Sequence, residues 1–364
     1  MTALATIIRA QIARFGPMPV SDYMALCLLH PKHGYYTTHA PLGREGDFIT
    51  APEISQMFGE LLGLMLVQGW IDQGRPTPFL LVEPGPGRGT LMADMLRAAR
   101  MVPAFLDAAD IRLIEASTAL RAVQKTRLAA YPVRWSEALS ELPDLPLFLV
   151  ANEFLDALPV RQYLRAGAGW RERMVGIDAG DQLCFGLAGE APVAALQGRL
   201  AHTPEGQTVE VCPAAEGFVS EGARHIANSG GLAVLVDYGS AGVPGDSFQA
   251  VRRHHKVDPL ATPGAADLSA HVDFRAMRQA ALDAGGDRPL TVSPLVTQGE
   301  LLERLGITAR AEALAANLAG EARENHIAAH RRLTHPAEMG NLFKALAIYP
   351  EGVVTPPGFT DHDA

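Results

Sequence analysis

The stretch "LLVEPGPGRGTLMADML", residues 80–96, reads as a strand, a glycine turn and a helix. Gly85, Gly87 and Gly89 fall at alternate positions, and a carboxylate, Glu83, stands just before them. Bare backbone between strand and helix lets a ligand approach closely, and the helix start adds N–H donors. The details narrow the choice of ligand. A dinucleotide fingerprint spaces its glycines GxGxxG, and here the third comes one position early. A P-loop ends in GK[ST], and no lysine follows this turn. Glu83 would repel a diphosphate but attract a ligand that carries positive charge.

S-adenosylmethionine, with its sulfonium and ammonium groups, has that chemistry. The next strand, "IRLIE", ends in a second acid, Glu115, where a carboxylate can accept hydrogen bonds from both ribose hydroxyls of a nucleoside. Glu83 and Glu115 could also be solvated charges at strand ends. Their joint presence beside three glycines favours the cofactor.

The pattern outward from this unit alternates. A helix is expected at 90–100, a strand in "IRLIEAS", a helix at 118–130 and a short strand in "PVRW". "LPLFLVANEF" and "GGLAVLVDYG" are continuous apolar runs, typical of the middle of a parallel sheet. This rhythm predicts a doubly wound α/β sheet. Residues 160–210 interrupt it with short strands that look antiparallel. Upstream, two helices are expected within 1–29, an irregular segment over 30–52 and an apolar helix at 53–73. "TQGELLERLG" opens with a capping box, Thr297 to Glu300. "FKALAIYP" is the expected last strand.

The run "ANEFLDALP" puts Asn152, Glu153 and Asp156 directly after an apolar strand, where open α/β sheets bind ligands. Such acids suit a guanidinium acceptor. Its pKa exceeds about 12, so it needs orientation and localised charge rather than simple deprotonation. Two carboxylates supply both through charge-assisted bonds. The plainer alternative is that Asp156 caps a helical turn and Asn152 fixes a loop.

Composition agrees with an enzyme. The chain has 364 residues, 48% hydrophobic and 20% charged, with a net charge of −9. That balance argues against nucleic-acid binding, which needs a basic surface. No apolar run is long enough to span a membrane. Cys27, Cys184 and Cys212 are far apart and form no disulfide framework. Several histidines cluster, but no Zn-type pairing is evident, so no metal site is expected. His271, in "SAHVDF", either orients substrate or satisfies a buried hydrogen bond.

Nearly the whole chain resembles the MidA-like methyltransferases. The resemblance runs through "GPMPVSDYM", "GREGDFITAPEISQMFGE", "EPGPGRGTLMADML", "ANEFLDALPV", "VDYG", "PGAADLSAHVDF" and "MGNLFKALA". It implies a Rossmann-like class I methyltransferase fold with a mostly parallel, seven-stranded sheet. A helical N-terminal extension (1–78) and a β-rich insertion (160–210) would flank a core of 79–159 and 211–364. The cofactor implied is S-adenosyl-L-methionine. Asp47, Phe48 and Thr50 would lie close to it, beside Glu83, Gly85, Gly87, Gly89 and Glu115. Asn152, Glu153, Asp156 and His271 would serve the acceptor.

The family includes a mitochondrial complex I assembly factor that symmetrically dimethylates arginine, so a protein arginine is the expected acceptor. Because the chain begins almost at the family's core, a bacterial, cytoplasmic protein is expected, or a mitochondrial one if the source is eukaryotic. Segments 30–52 and 160–210 are expected to wall a cleft above the strand ends. The apolar helix at 53–73 is compatible with a homodimer. A small-molecule methyltransferase and a cofactor-binding assembly chaperone without turnover are the competing readings.

Overall fold

The computed structural model describes residues 2–38, 50–242 and 245–360. The central sheet runs in the order Leu290–Val292, Phe343–Pro350, Gly231–Ser240, Leu147–Asn152, Phe79–Pro84, Ala109–Ile114, Arg134–Ser136. The number is the seven expected; six are located by the sequence pattern, and Leu290–Val292 is not. Two short strands, Val272–Asp273 and Val296–Thr297, attach to its side. From Gly231–Ser240 to Arg134–Ser136 every pairing is parallel. Phe343–Pro350 alone runs against both its main-sheet neighbours.

The apolar runs are continuous because both faces are covered. Phe79 and Leu81 point into one core, and Leu80 and Val82 into the other. The same alternation holds for Phe148 and Val150 against Leu147, Leu149 and Ala151. A period of two with both sets buried leaves no polar face to interrupt the run. The chain enters the sheet at Phe79–Pro84, moves to one edge, then returns through Leu147–Asn152 to the other side. The reversal between these two strands is where open sheets leave a crevice for ligands.

The helix expected at 53–73 begins later, at Gln56–Asp72, after a short turn of helix, Ala51–Ile54. It is not a free amphipathic face. Met57 to Leu62 and most residues to Trp70 are buried, Glu60 included. Arg97 and Arg310 both pair with the Glu60 carboxylate. Gly59 and Gly63 let the helix lie against Thr90–Ala99. A Cβ on Gly63 would stand 2.7 Å from Met95 Cα. The apolar content serves this chain's own core, so it gives no support to a dimer.

The insertion forms a separate antiparallel sheet of Arg161–Ala166, Gly169–Ile177, Leu183–Ala191 and Thr208–Val211. Met18–Pro19, from the N-terminal segment, adds a fifth strand by pairing with Gly169–Ile177. The helices Ala3–Phe15 and Val20–Leu29 share one hydrophobic core with Val160, Val175, Leu260 and Leu268. A further three-stranded sheet, Gln249–Arg252, His255–Val257 and Asp267–Ser269, was not expected from the sequence pattern. Among the described residues, no helix is long and apolar enough to cross a membrane.

Candidate active site

A cavity of about 280 Å³ opens at the carboxyl ends of Phe79–Pro84 and Leu147–Asn152. That is near the lower end of small-molecule sites, roughly 300–1,000 Å³. Its lining brings together Thr50, Glu83, Gly85, Gly87, Glu115, Asn152 and Glu153. Leu29, Tyr36, Glu53, Arg88 and Phe154 complete much of the wall.

The glycine turn is left-handed at all three glycines, with φ of 58° at Gly85, 51° at Gly87 and 75° at Gly89. Side chains resist that region, and Gly85 has a second reason to lack one. A Cβ there would sit 2.8 Å from the Phe154 ring. Gly89 is the N-cap of Thr90–Ala99 and lies behind the cavity lining. Gln124, fully buried, ties this turn to the second acid. Its Nε2 donates to Gly87 O at 2.7 Å and to Glu115 Oε2 at 3.1 Å, while Trp135 Nε1 donates to its Oε1 at 2.8 Å. The Ser117 N–H donates to Glu115 Oε1 at 2.7 Å. Burial raises the Glu115 pKa, and these donors oppose the rise.

Glu83 is 4% exposed. Burial pushes its carboxyl up to about 8. Its Oε2 is buried with no hydrogen-bond partner among the described residues, and so is Asn152 Oδ1. Buried acceptors without donors cost free energy, and such groups in native proteins call for an explanation. Here a cationic or hydrogen-bond-donating ligand supplies one.

Glu153 follows Asn152 in a left-handed backbone, φ 50°. That conformation costs on the order of 1–2 kcal/mol for a residue with a side chain. Its N–H donates to Val236 O at 3.0 Å. Its Oε1 accepts from the Ala51 N–H at 2.9 Å and from Asn152 Nδ2 at 3.2 Å. Burial, with Asp156 nearby, pushes the Glu153 carboxyl up to about 7 despite these donors.

Asp156 does not line this cavity among the described residues. Its charge raises the pKa of Glu153 and Tyr36, which do line it, and of Asp237 and Tyr238. Burial raises its own to about 7. Of the two expected clamping carboxylates, Glu153 lines the cavity and Asp156 stands close enough to raise its pKa. His271 also lies elsewhere. It lines a smaller cavity with Arg199, Glu210, Cys212 and Asp273, and its ring stacks on Tyr238 with centroids 6.1 Å apart. Burial and Lys256 lower its pKa.

Asp47 and Phe48 fall outside the described residues. The insertion does not wall the main cavity: no residue of 160–210 lines it, and Arg199 and Glu210 line the smaller one instead. The segment before the first strand does contribute, through Leu29, Tyr36, Thr50, Pro52 and Glu53. Tyr35 is core, whereas the phenol of Tyr36 donates to Asp267 Oδ1 at 2.9 Å.

Several residues at this site escaped the sequence reading. Glu53 lines the cavity and accepts a hydrogen bond from the Thr90 hydroxyl. Asp237, 1% exposed, stands near the end of the strand Gly231–Ser240. An acid closing an apolar run is the same signal that marked Glu83 and Glu115, and "LVDYG" carries it.

Comparison with known proteins agrees with this geometry. A family model described as S-adenosyl-L-methionine-dependent methyltransferase matches residues 61–291. The mitochondrial protein arginine methyltransferase NDUFAF7 of Xenopus tropicalis is 36% identical over 368 residues, covering 94% of this chain and 84% of that protein. The Homo sapiens protein of the same name is 35% identical over 367 residues, covering 93% of this chain and 82% of its own. A crystal structure from Burkholderia thailandensis, bound to S-adenosyl-homocysteine, superposes with a TM-score of 0.82 at 30% identity, over 99% of this chain and 95% of that one.

Proposed function

This chain belongs to the MidA-like family of S-adenosyl-L-methionine-dependent methyltransferases, and from that premise we propose that it methylates an arginine side chain of a protein. The observation that carries the reading is one cavity holding Glu83, Glu115, Asn152 and Glu153 together at the sheet's reversal point. The first two carboxylates suit the cationic cofactor, and the second pair suits a cationic acceptor. Relatives named as protein arginine methyltransferases support the choice of acceptor.

Bound S-adenosylmethionine supplies a methyl group on a positively charged sulfur. Glu83 would offer its unpaired Oε2 to the ammonium group of that molecule, and Glu115 would accept from its ribose hydroxyls. The glycine turn admits the ligand close to backbone, with Thr50 at the same wall. Glu153 and Asn152 orient the acceptor guanidinium, so that one nitrogen lies in line with the methyl group. A new N–C bond forms as the S–C bond breaks, and the nitrogen must lose a proton. A carboxyl near 7 can take that proton and return it to water at neutral pH. Most of the rate enhancement then comes from holding two cations in line within a negative site.

Symmetric dimethylation, a respiratory complex I subunit as substrate and a bacterial cytoplasmic setting are the finer parts of this reading. The first two rest on the family resemblance alone, and three free cysteines suit a reducing compartment. Mass spectrometry of arginine-containing peptides after incubation with the purified protein and S-adenosylmethionine tests the reaction. Methylarginine is the expected product. Methylation of small molecules alone, or cofactor binding without any turnover, would replace this reading.

A further inference from the structure

The turn after Asn152 carries the acceptor-facing carboxylate, yet nothing in its own sequence favours the shape it takes. Glu153 is neither glycine nor asparagine, and it holds φ at 50°. The explanation lies on the neighbouring strand. Asp237 Oδ2 accepts three consecutive backbone N–H groups, from Phe154 at 3.1 Å, Leu155 at 2.8 Å and Asp156 at 3.3 Å. Its Oδ1 accepts the N–H of Tyr238 at 2.8 Å. Three successive N–H groups can converge on one oxygen only where the chain coils tightly, and entering that coil directly from a strand forces an abrupt turn at Glu153. The Glu153 N–H itself bonds Val236 O at 3.0 Å, so the turn is fixed at both ends to the same strand.

Four N–H donors on one side chain organise the backbone through geometry, while burial with Asp156 and Glu153 nearby pushes the Asp237 carboxyl well above the usual range. The location is expensive, though. Asp237 is fully buried, and Asp156 and Glu153 are like charges close by. A neutral acceptor would satisfy the strand end with less penalty. Strained backbone persists where the surroundings over-determine it, and it clusters at functional sites.

We infer that Asp237 is a positioning residue for methyl transfer, which holds residues 153–156 in the coil that turns the Glu153 side chain toward the cavity. It touches neither cofactor nor acceptor and acts through Glu153. The inference deepens the proposed reaction and rests on it for its kinetic consequences. Its structural consequence stands apart from any acceptor.

The test combines Asp237→Asn, Glu153→Gln and the double variant. Asp237→Asn keeps the shape but leaves a single acceptor oxygen where two now take four N–H groups. Turnover of an arginine peptide is expected to fall by about 10², with S-adenosylhomocysteine affinity, read by calorimetry, within about threefold of wild type. In the Glu153→Gln background the same change should cost little more, since residues acting as a unit are non-additive. Independent losses that simply add would overturn the inference, as would unchanged turnover. A crystal structure of Asp237→Asn with S-adenosylhomocysteine is expected to show Glu153 out of the left-handed region. Glu153 still at its wild-type φ and still bonded to Ala51 would refute the role even if arginine proved the wrong acceptor. Should Asp237→Asn not fold, Asp237→Asn with Glu153→Gly should, because glycine adopts the turn without being held. A double variant that is also unfolded would make Asp237 a support of the core and end the proposal. Wild-type protein that methylates no arginine would instead sink the proposed reaction and leave the structural comparison to decide the role of Asp237.

Discussion

Glu83 and Asn152, on adjacent parallel strands, each bury one side-chain oxygen that no donor among the described residues satisfies, and both residues line the same cavity. The two groups make the site incomplete as it stands, and they differ in what completes them. Asn152 needs a donor, and Glu83 needs a donor that also carries charge.

Cofactor affinity should therefore depend on pH through Glu83. Its carboxyl, near 8, is largely protonated at lower pH and must ionise to meet an ammonium group. From about pH 5.5 to about 7.5, below the point where the ligand's own α-amino group titrates, affinity for S-adenosylhomocysteine should rise by roughly 75-fold. Calorimetry in buffers of different ionisation enthalpy should register proton release. Glu83→Gln should flatten the profile and weaken binding. A wild-type profile that is already flat would show that Glu83 is not the partner of this group.

Stability of the unliganded protein should respond with the opposite sign. Glu83, Glu153 and Asp156 all hold folded-state values above the ordinary carboxyl range, at about 8, 7 and 7. The folded chain then binds protons that the unfolded chain has released. Their contribution is fully present below the ordinary values, near 4, and is lost as pH climbs through 7 and 8. Thermal denaturation at about pH 6 and about pH 8.5 should give a lower Tm at the higher pH, and saturating S-adenosylhomocysteine should narrow the gap. Equal shifts in Glu83→Gln, Glu153→Gln and wild type would trace the effect to other groups.

Loss of the acceptor carboxylate should be felt in the chemical step. Glu153→Gln is expected to lower kcat by about 10² or more with little change in cofactor affinity, the scale of one charge-assisted contact made in the transition state. Glu153→Gly should be just as inactive but more stable than wild type, by on the order of 1 kcal/mol, since it relieves the left-handed backbone. Chemical denaturation together with a methylation assay checks both halves. A less stable Glu153→Gly would mean that the bonds to Ala51 and Asn152 outweigh the strain.

The glycine turn should tolerate no side chain. Gly85→Ala combines φ 58° with a Cβ 2.8 Å from the Phe154 ring. Phe154 adjoins Glu153, so displacement of its ring should impair turnover as well as binding. We expect both to fall at least about tenfold, on the scale of 1–3 kcal/mol for forcing extra volume into packed structure. Near-normal kinetics would mean that the ring moves freely.

Gly63→Ala should destabilise without touching the site. Its Cβ would meet the Met95 backbone at 2.7 Å, and backbone in the middle of a helix cannot rotate aside. A loss of about 1–3 kcal/mol in urea denaturation is expected, with cofactor affinity per folded molecule unchanged. Separation of the two helices would be visible as a change in the neighbouring core.

The sheet was legible because its signals are local. Each strand is an apolar run, and the Glu83 turn carries its glycines in sequence. That Glu83, Glu115, Asn152 and Glu153 line one cavity was legible because strand ends and ligand crevices coincide in this architecture. Asp156 is absent from the cavity lining among the described residues yet close enough to Glu153 to raise its pKa, a distinction that sequence distance does not reveal. Asp237 was overlooked because its partners are backbone N–H groups some eighty positions earlier, which no side-chain pattern records. The Gln56–Asp72 helix misled for a related reason. Apolar content alone does not distinguish a face kept for another molecule from a helix enclosed by its own chain, and the glycine spacing of 59 and 63 was the clue.

The core shared by the first two helices and the inserted sheet sets a schedule for synthesis. Leu4, Ile8, Tyr23 and Met24 are made first, but Val160, Val175, Leu260 and Leu268, which pack with them, emerge far later. At about 5–20 residues per second, the first helices wait roughly ten to fifty seconds beside the ribosome with their apolar side uncovered. These two helices are thus translated well before the residues that cover them and are among the last to find their place, and during that interval their exposed face is a target for chaperones.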